Sequence, residues 1–252
     1  GSQSVGMGAD LYKNFKLVKK IFKQADEKLN FNLSKVILEG PDKELKLTKN
    51  TQPAIMTLSF SIYKLIVEEF GVDIKDTKYF CGHSLGEYSA LVSIGTLTFE
   101  DALYLLHERG KSMQEAVPEG HGAMLAVLGL KLEDVEKLIK EIKVKGICEI
   151  ANDNSDSQVI LSGEKKVIDE ISNILKKNKK KSIFLPVSAP FHCSLMKSAA
   201  EKMKDKILKT NFKKPNKEII SNVTARPVVD TEIIKKLLID QISSKVRWRE
   251  SL

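Results

Sequence analysis

The sequence predicts an α/β protein carrying an inserted β-α-β-β-α-β unit of the split ferredoxin-like kind. Three observations predict it. Helix-length runs with apolar residues at helical spacing alternate with strand-length apolar runs along most of the chain. Between Gly122 and Val187 the order becomes strand, helix, strand, strand, helix, strand, a suitable length for a small subdomain set into a larger one. A short β-prone run, Lys78-Tyr79-Phe80-Cys81, leads into Gly82-His83-Ser84-Leu85-Gly86 and then the helix former Glu87, the strand–turn–helix context of a G-x-S-x-G turn. The large subdomain is expected over 1–120 and 188–252, and the small one over 121–187.

In chain order, residues 9–29 read as a helix, with Leu11, Phe15, Leu17, Val18, Ile21 and Phe22 near helical spacing. Residues 52–70 form a long apolar helix with Pro53 in its first turn, where a missing N–H costs nothing. A strand at 78–81 ends in the glycine-flanked turn, a helix runs from Glu87 to about Ile94, and Phe99-Glu100-Asp101 opens another that runs to about Ala116, before Pro118 and Gly120. The inserted unit has strands at 123–130, 147–151, 159–162 and 182–187 and helices at 132–142 and 166–177, with Asn152-Asp153-Asn154 as a turn. A helix at 193–208, a strand at 218–223 and a helix at 231–243 complete the pattern. No strand opens the sheet and the chain stops at Leu252 without an evident end to the fold, so both ends are expected to be trimmed.

Composition excludes several classes. With 252 residues, 42% hydrophobic and 29% charged, the chain can bury a sizeable core, and it is neither disordered nor low-complexity. No apolar run reaches the ~18 residues needed to cross a bilayer, and the N-terminus has no signal-peptide pattern. Three cysteines (Cys81, Cys148, Cys193) without C-x-x-C spacing argue against a disulfide framework or zinc ribbon and for a reducing, cytoplasmic setting. Four scattered histidines form no metal motif, so neither metal nor cofactor is expected. The net charge of +8 rests on 41 basic residues, of which only Arg109, Arg226, Arg247 and Arg249 are arginine. Nucleic-acid readers rely on clustered Arg interleaved with aromatics, so the Lys excess reads as a solvated surface or as a face that steers an acidic partner.

Chemistry concentrates at Ser84. A sharp strand-to-helix turn pushes a serine hydroxyl into the open, and close chain approach asks for small residues at Gly82 and Gly86. The amide of Leu85, at the helix start, would face an oxygen gaining charge near Ser84. A serine needs a base, and His192 is the best candidate, in the loop Ser188-Ala189-Pro190-Phe191-His192-Cys193 between a strand and a helix. His107 sits mid-helix, His83 is expected to point away, and His121 lies in a hinge. Arg109, on the helix after the elbow helix, offers a guanidinium fork for a carboxylate. The competing readings are a structural loop histidine at 192 and a surface ion pair from Arg109 to Glu108 or Asp101.

These residues resemble the malonyl-CoA:acyl carrier protein transacylase family. Gly82-His83-Ser84-Leu85-Gly86-Glu87-Tyr88-Ser89-Ala90 is similar to its active-site signature. Gly1-Ser2-Gln3 resembles the end of its G-Q-G-S-Q motif, Thr51-Gln52-Pro53-Ala54 its T-Q-P-A helix start, and Arg109-Gly110-Lys111 with Met113-Gln114 its R-G-x-x-M-Q motif. Pro186-Val187-Ser188 with Pro190 and His192-Cys193 resembles its histidine loop, and Asn222-Val223-Thr224 its late strand. The resemblance covers the whole chain. It implies an α/β-hydrolase-like large subdomain with the inserted ferredoxin-like one. It implies Ser84 as nucleophile, His192 as base oriented by the Gln241 backbone carbonyl, and Leu85 as an oxyanion donor. It implies Arg109 as the clamp for the malonyl carboxylate, with Met113, Gln3 and Asn222 also lining the substrate site. The family's second oxyanion donor, a Gln before the residue matching Gly1, is not in this sequence.

The expected reaction moves a malonyl group from malonyl-CoA to the phosphopantetheine thiol of acyl carrier protein through a malonyl-serine ester, in fatty acid biosynthesis. A monomer is expected, with no nucleic-acid or membrane partner. A serine esterase or thioesterase using water as acceptor is the first alternative. A basic nucleic-acid-binding module is the second, but it leaves Ser84, His192 and Arg109 unexplained.

Overall fold

The structure, a computed structural model, describes residues 2–187 and 189–252; Gly1 of the Gly-Ser-Gln stretch and Ser188 of the histidine loop lie outside the described residues. The elements in order are α1 (Ala9–Asn14), α2 (Lys16–Leu29), α3 (Leu33–Leu38), α4 (Asp42–Lys46), α5 (Thr48–Lys64, continued by a π turn over Leu65–Glu69), β1 (Tyr79–Phe80), α6 (Leu85–Ser93) and α7 (Phe99–Glu115). Then come β2 (Gly122–Leu128), α8 (Leu132–Glu141), β3 (Cys148–Ser155), β4 (Gln158–Glu164), α9 (Lys165–Lys177) and β5 (Lys181–Phe184). A 3-10 turn (Ser194–Met196) precedes α10 (Lys197–Lys209), β6 (Glu218–Ile220), β7 (Pro227–Val228), α11 (Thr231–Gln241) and α12 (Trp248–Ser251). Two compact units emerge: Gly1–Lys111 with Leu208–Ile219 and Pro227–Thr231, and Ser112–Ile207 with Ile220–Arg226 and Glu232–Leu252.

In the first unit β1 pairs in parallel with β6, Tyr79 opposite Glu218 and Phe80 opposite Ile219, in the order β1-β6-β7. The expected 9–29 helix is two helices, because Phe15 takes an extended conformation (φ −118, ψ 121) and its ring meets that of Phe70 nearly perpendicularly, centroids 5.9 Å apart. In α2, Val18, Ile21, Phe22 and Ala25 are buried at helical spacing. α5 begins at Thr48, so Pro53 is internal rather than in the first turn. Its ring leaves the Lys49 carbonyl without the usual i+4 donor, and His107 Nδ1 takes that place from α7 at 3.1 Å.

The second unit contains the predicted β-α-β-β-α-β insert as an antiparallel sheet of order β3-β4-β2-β5, the split ferredoxin arrangement. Alternation along β2 sorts its side chains. Leu125 and Val127 join Val135 of α8 and Ile168, Ile171 and Leu175 of α9 in one core. Met124 and Ala126 face the other way, with Ala151, Ile160 and, from the following segment, Leu185, Val187 and Phe191.

Some elements differ from expectation. Asn152-Asp153-Asn154 is strand, not turn; the reversal falls at Asp156-Ser157. Tertiary partners override the turn propensity here. The Asp153 N–H donates to the Val246 carbonyl at 3.0 Å, and the Val246 N–H donates to Ala151 at 2.8 Å. The fully buried Asp153 carboxylate accepts from Arg249 Nη2 at 2.9 Å. The late strand ends at Ile220, because the chain then folds back, with Ala225 N–H donating to Ser221 O at 2.8 Å. Among the described residues no helix is long and apolar enough to cross a membrane.

Candidate active site

Ser84 sits between the end of β1 and the start of α6 with φ 53 and ψ −107, a backbone conformation that L residues avoid. The elbow closes through Gly86 N–H to His83 O at 2.9 Å and Glu87 N–H to Ser84 O at 3.1 Å. Gly82 is obligatory, since a Cβ there would lie 2.0 Å from the Gly86 carbonyl oxygen. A Cβ on Gly86 would meet only open space, so the expected steric demand falls on position 82 and on the backbone of 86, not on the side chain of 86. Leu85 is the first residue of α6, the end of a helix where amides face outward.

Arg109 is brought to the serine. It is 1% exposed, which excludes the surface ion pair. One nitrogen, Nη2, donates to Ser84 Oγ at 3.0 Å; the other, Nη1, donates to Gln52 Oε1 at 2.6 Å. The guanidinium lies 5.8 Å from the centre of the Tyr88 ring, a cation–π distance. Burial pulls the Arg109 pKa below its usual value, partly offset by Tyr88 and Glu87, yet a guanidinium stays charged near neutrality. The same burial pushes Tyr88 up to about 12.

Two glimpses of packing explain how α7 presents this side chain. Gly110 lets α7 approach α5 so closely that a Cβ would lie 2.4 Å from the Thr48 carbonyl oxygen. His107, one turn earlier on α7, binds the carbonyl that Pro53 releases. Gln52 is a further residue of the site, one that no catalytic motif in the sequence singles out. Its signal was present as a polar residue inside an apolar helix, within the Thr51-Gln52-Pro53-Ala54 stretch.

In the second unit His192 is 5% exposed and also lies at positive φ (59). Its Nδ1 lies 2.9 Å from the carbonyl oxygen of the fully buried Gln241, so Nδ1 carries the proton and donates, leaving Nε2 as the basic nitrogen. The other candidates are placed individually. Met113 is 1% exposed on α7, and Asn222 is fully buried with its carbonyl accepting from Arg247 N–H at 2.9 Å. Gln3 is partly buried, its Oε1 enclosed without a hydrogen-bond partner. Burial raises the pKa of all three thiols, Cys148 to about 12, so none is a ready thiolate near neutrality. Among the described residues no cluster of metal-ligating side chains occurs.

Residues 1–252 match the acyl transferase domain family. The chain is 42% identical to the malonyl CoA-acyl carrier protein transacylase of Bacillus subtilis (strain 168), over its whole length and 79% of that protein. It is 38% identical to the transacylase of the same name from Escherichia coli (strain K12), over its whole length and 81% of that protein. Among solved structures it superposes on an acyl-carrier-protein-S-malonyltransferase from Bartonella henselae with a TM-score of 0.95 at 41% identity, covering all of this chain and 80% of that one. It also superposes, with a TM-score of 0.93 at 38% identity, on a malonyl-transacylase solved in complex with a type II PKS acyl-carrier protein, covering 98% of this chain and 80% of that one.

Proposed function

The chain belongs to the acyl transferase domain family, and from that premise we propose that it moves a malonyl group from coenzyme A to the phosphopantetheine thiol of acyl carrier protein, in fatty acid biosynthesis. In this reading 1–120 with 188–252 form the catalytic subdomain and 121–187 the inserted one. One observation carries the substrate assignment: a buried guanidinium donates to the hydroxyl of an elbow serine. A buried positive charge there suits an acyl group with a free carboxylate, as malonyl has and acetyl lacks.

The steps follow from the chemistry of the residues. His192 takes the Ser84 proton through Nε2 as the hydroxyl oxygen attacks the thioester carbonyl, with the Gln241 carbonyl holding the proton on Nδ1 and steadying the imidazolium. The tetrahedral oxyanion is met by the Leu85 amide at the start of α6. Collapse breaks the carbon–sulfur bond, and the departing coenzyme A thiolate receives the proton from His192. The carrier's thiol then loses its proton to His192 and attacks the malonyl-serine ester, returning the oxygen and a proton to Ser84. Arg109 holds the malonyl carboxylate throughout, with Gln52 fixing one nitrogen of the fork.

Intact-mass measurement of the full-length protein after brief incubation with malonyl-CoA tests this reading. A malonyl adduct mapped to Ser84, absent in Ser84→Ala and stable until a thiol acceptor is added, is expected. Steady hydrolysis with no adduct would assign the chain to the esterases instead.

A further inference from the structure

We propose that Glu149 is a positioning residue for His192, an assignment that rests on the reading of His192 as the base. His192 occupies a strained left-handed conformation, φ 59, which persists only where the surroundings over-determine it. The loop around it is pinned at four points within one unit. Before it, Pro190 packs on Gly122 so closely that a Cβ on that glycine would lie 2.4 Å from the proline ring. The imidazole is held by the Gln241 carbonyl. Cys193 Sγ donates to the Pro190 carbonyl at 3.2 Å and accepts from Ser162 Oγ at 3.6 Å. Finally, both carboxylate oxygens of Glu149 take donors from Ser194: the backbone N–H at 3.0 Å and the hydroxyl.

The Glu149 contact is the only charged one of the four, and it falls where the chain must change direction. Ser194 opens the 3-10 turn that leads into α10, where the first N–H groups lack partners within the turn, and the partly buried Glu149 carboxylate satisfies the Ser194 N–H. Glu149 is fixed in turn by the sheet, where it stands opposite Ser162 in the β3–β4 ladder. Glu149 and Ser162 thus form a rigid platform on one face of the sheet, gripping the two residues that follow His192. Without Glu149 the start of the turn is free to relax, and the His192 backbone with it.

The test is a double-mutant cycle in the full-length protein, reading single-turnover acylation of Ser84 by malonyl-CoA well below each variant's melting temperature. Glu149→Ala is expected to slow acylation by roughly 10- to 100-fold with little change in half-saturation by malonyl-CoA. Glu149→Gln, which can still accept from the N–H and donate to the hydroxyl, is expected to restore most of the rate. In a His192→Ala background Glu149→Ala is expected to have no further effect, because it acts through the lost imidazole. Should Glu149→Ala not fold, Ser194→Ala removes the hydroxyl contact alone and is expected to show a smaller loss of the same kind. A wild-type rate in folded Glu149→Ala, failure of Gln to rescue, or a full multiplicative loss on top of His192→Ala overturns the positioning role. Wild-type acylation by His192→Ala would instead overturn the base assignment itself.

Discussion

In the proposed function Arg109 is the single buried charge that selects the substrate. Buried, with one nitrogen on Gln52 and another on Ser84, it has a strong electrostatic reason to accept a carboxylate. Arg109→Ala is expected to slow malonyl acylation by about 10- to 100-fold, the range of one charged hydrogen bond, while acetyl acylation is unchanged or faster. Parallel loading with malonyl-CoA and acetyl-CoA measures this, and unchanged selectivity would remove Arg109 from the role. Tyr88, beneath the guanidinium, carries a second prediction. Its hydroxyl is buried with no hydrogen-bond partner, and burial raises its pKa from 10.0 to about 12. The neutral phenol is favoured in the fold, so this contribution is complete below pH 10 and is lost as pH rises from there through about 12. Tyr88→Phe keeps the ring and should therefore match or exceed wild-type stability at neutral pH and lose less in alkali. Urea unfolding at neutral pH and near pH ~11 compares them; an equal alkaline loss in both proteins would assign it to other groups.

At the scale of elements, the close approach of α7 to α5 sets the reach of the guanidinium. Gly110→Ala places a methyl 2.4 Å from the Thr48 carbonyl oxygen, which is backbone and cannot swing aside. The helices must separate, at a cost of about 1–3 kcal/mol, and Arg109 must retreat from Ser84. A lower Tm together with impaired malonyl loading is expected; a normal Tm would show that the contact is softer than the geometry requires. The elements themselves were unevenly legible. α9 could be read almost to the residue, because Val167, Ile168, Ile171 and Leu175 repeat at helical spacing. The break at Phe15 could not, since Phe15 continues the apolar pattern and its partner Phe70 is distant in sequence. Nor could β3 through Asn152-Asp153-Asn154, where turn-forming residues are held extended by Val246 and Arg249, nearly a hundred positions away.

For the molecule as a whole, the +8 charge comes mostly from lysines, and exposed pairs such as Lys23–Glu27 and Lys75–Asp73 contribute little to stability. Their consequence lies in association. Transfer to an acidic carrier protein is expected to slow as ionic strength rises and the Debye length shrinks, while acylation by malonyl-CoA at saturation changes less. A carrier-transfer rate flat across added salt would assign the lysines to solubility alone. The G-x-S-x-G turn, the β-α-β-β-α-β order and the candidate histidine were legible in one dimension, because turn chemistry and periodicity are properties of neighbours along the chain. Two things were decided only by tertiary packing: that Gln52 grips Arg109 across fifty-seven positions, and that Glu149 anchors the turn behind His192; the Gln241 carbonyl on His192 was implied by the family resemblance and by no spacing along the chain. Each depends on a hydrogen bond between residues whose separation in sequence carries no period, so only the folded backbone could bring donor to acceptor.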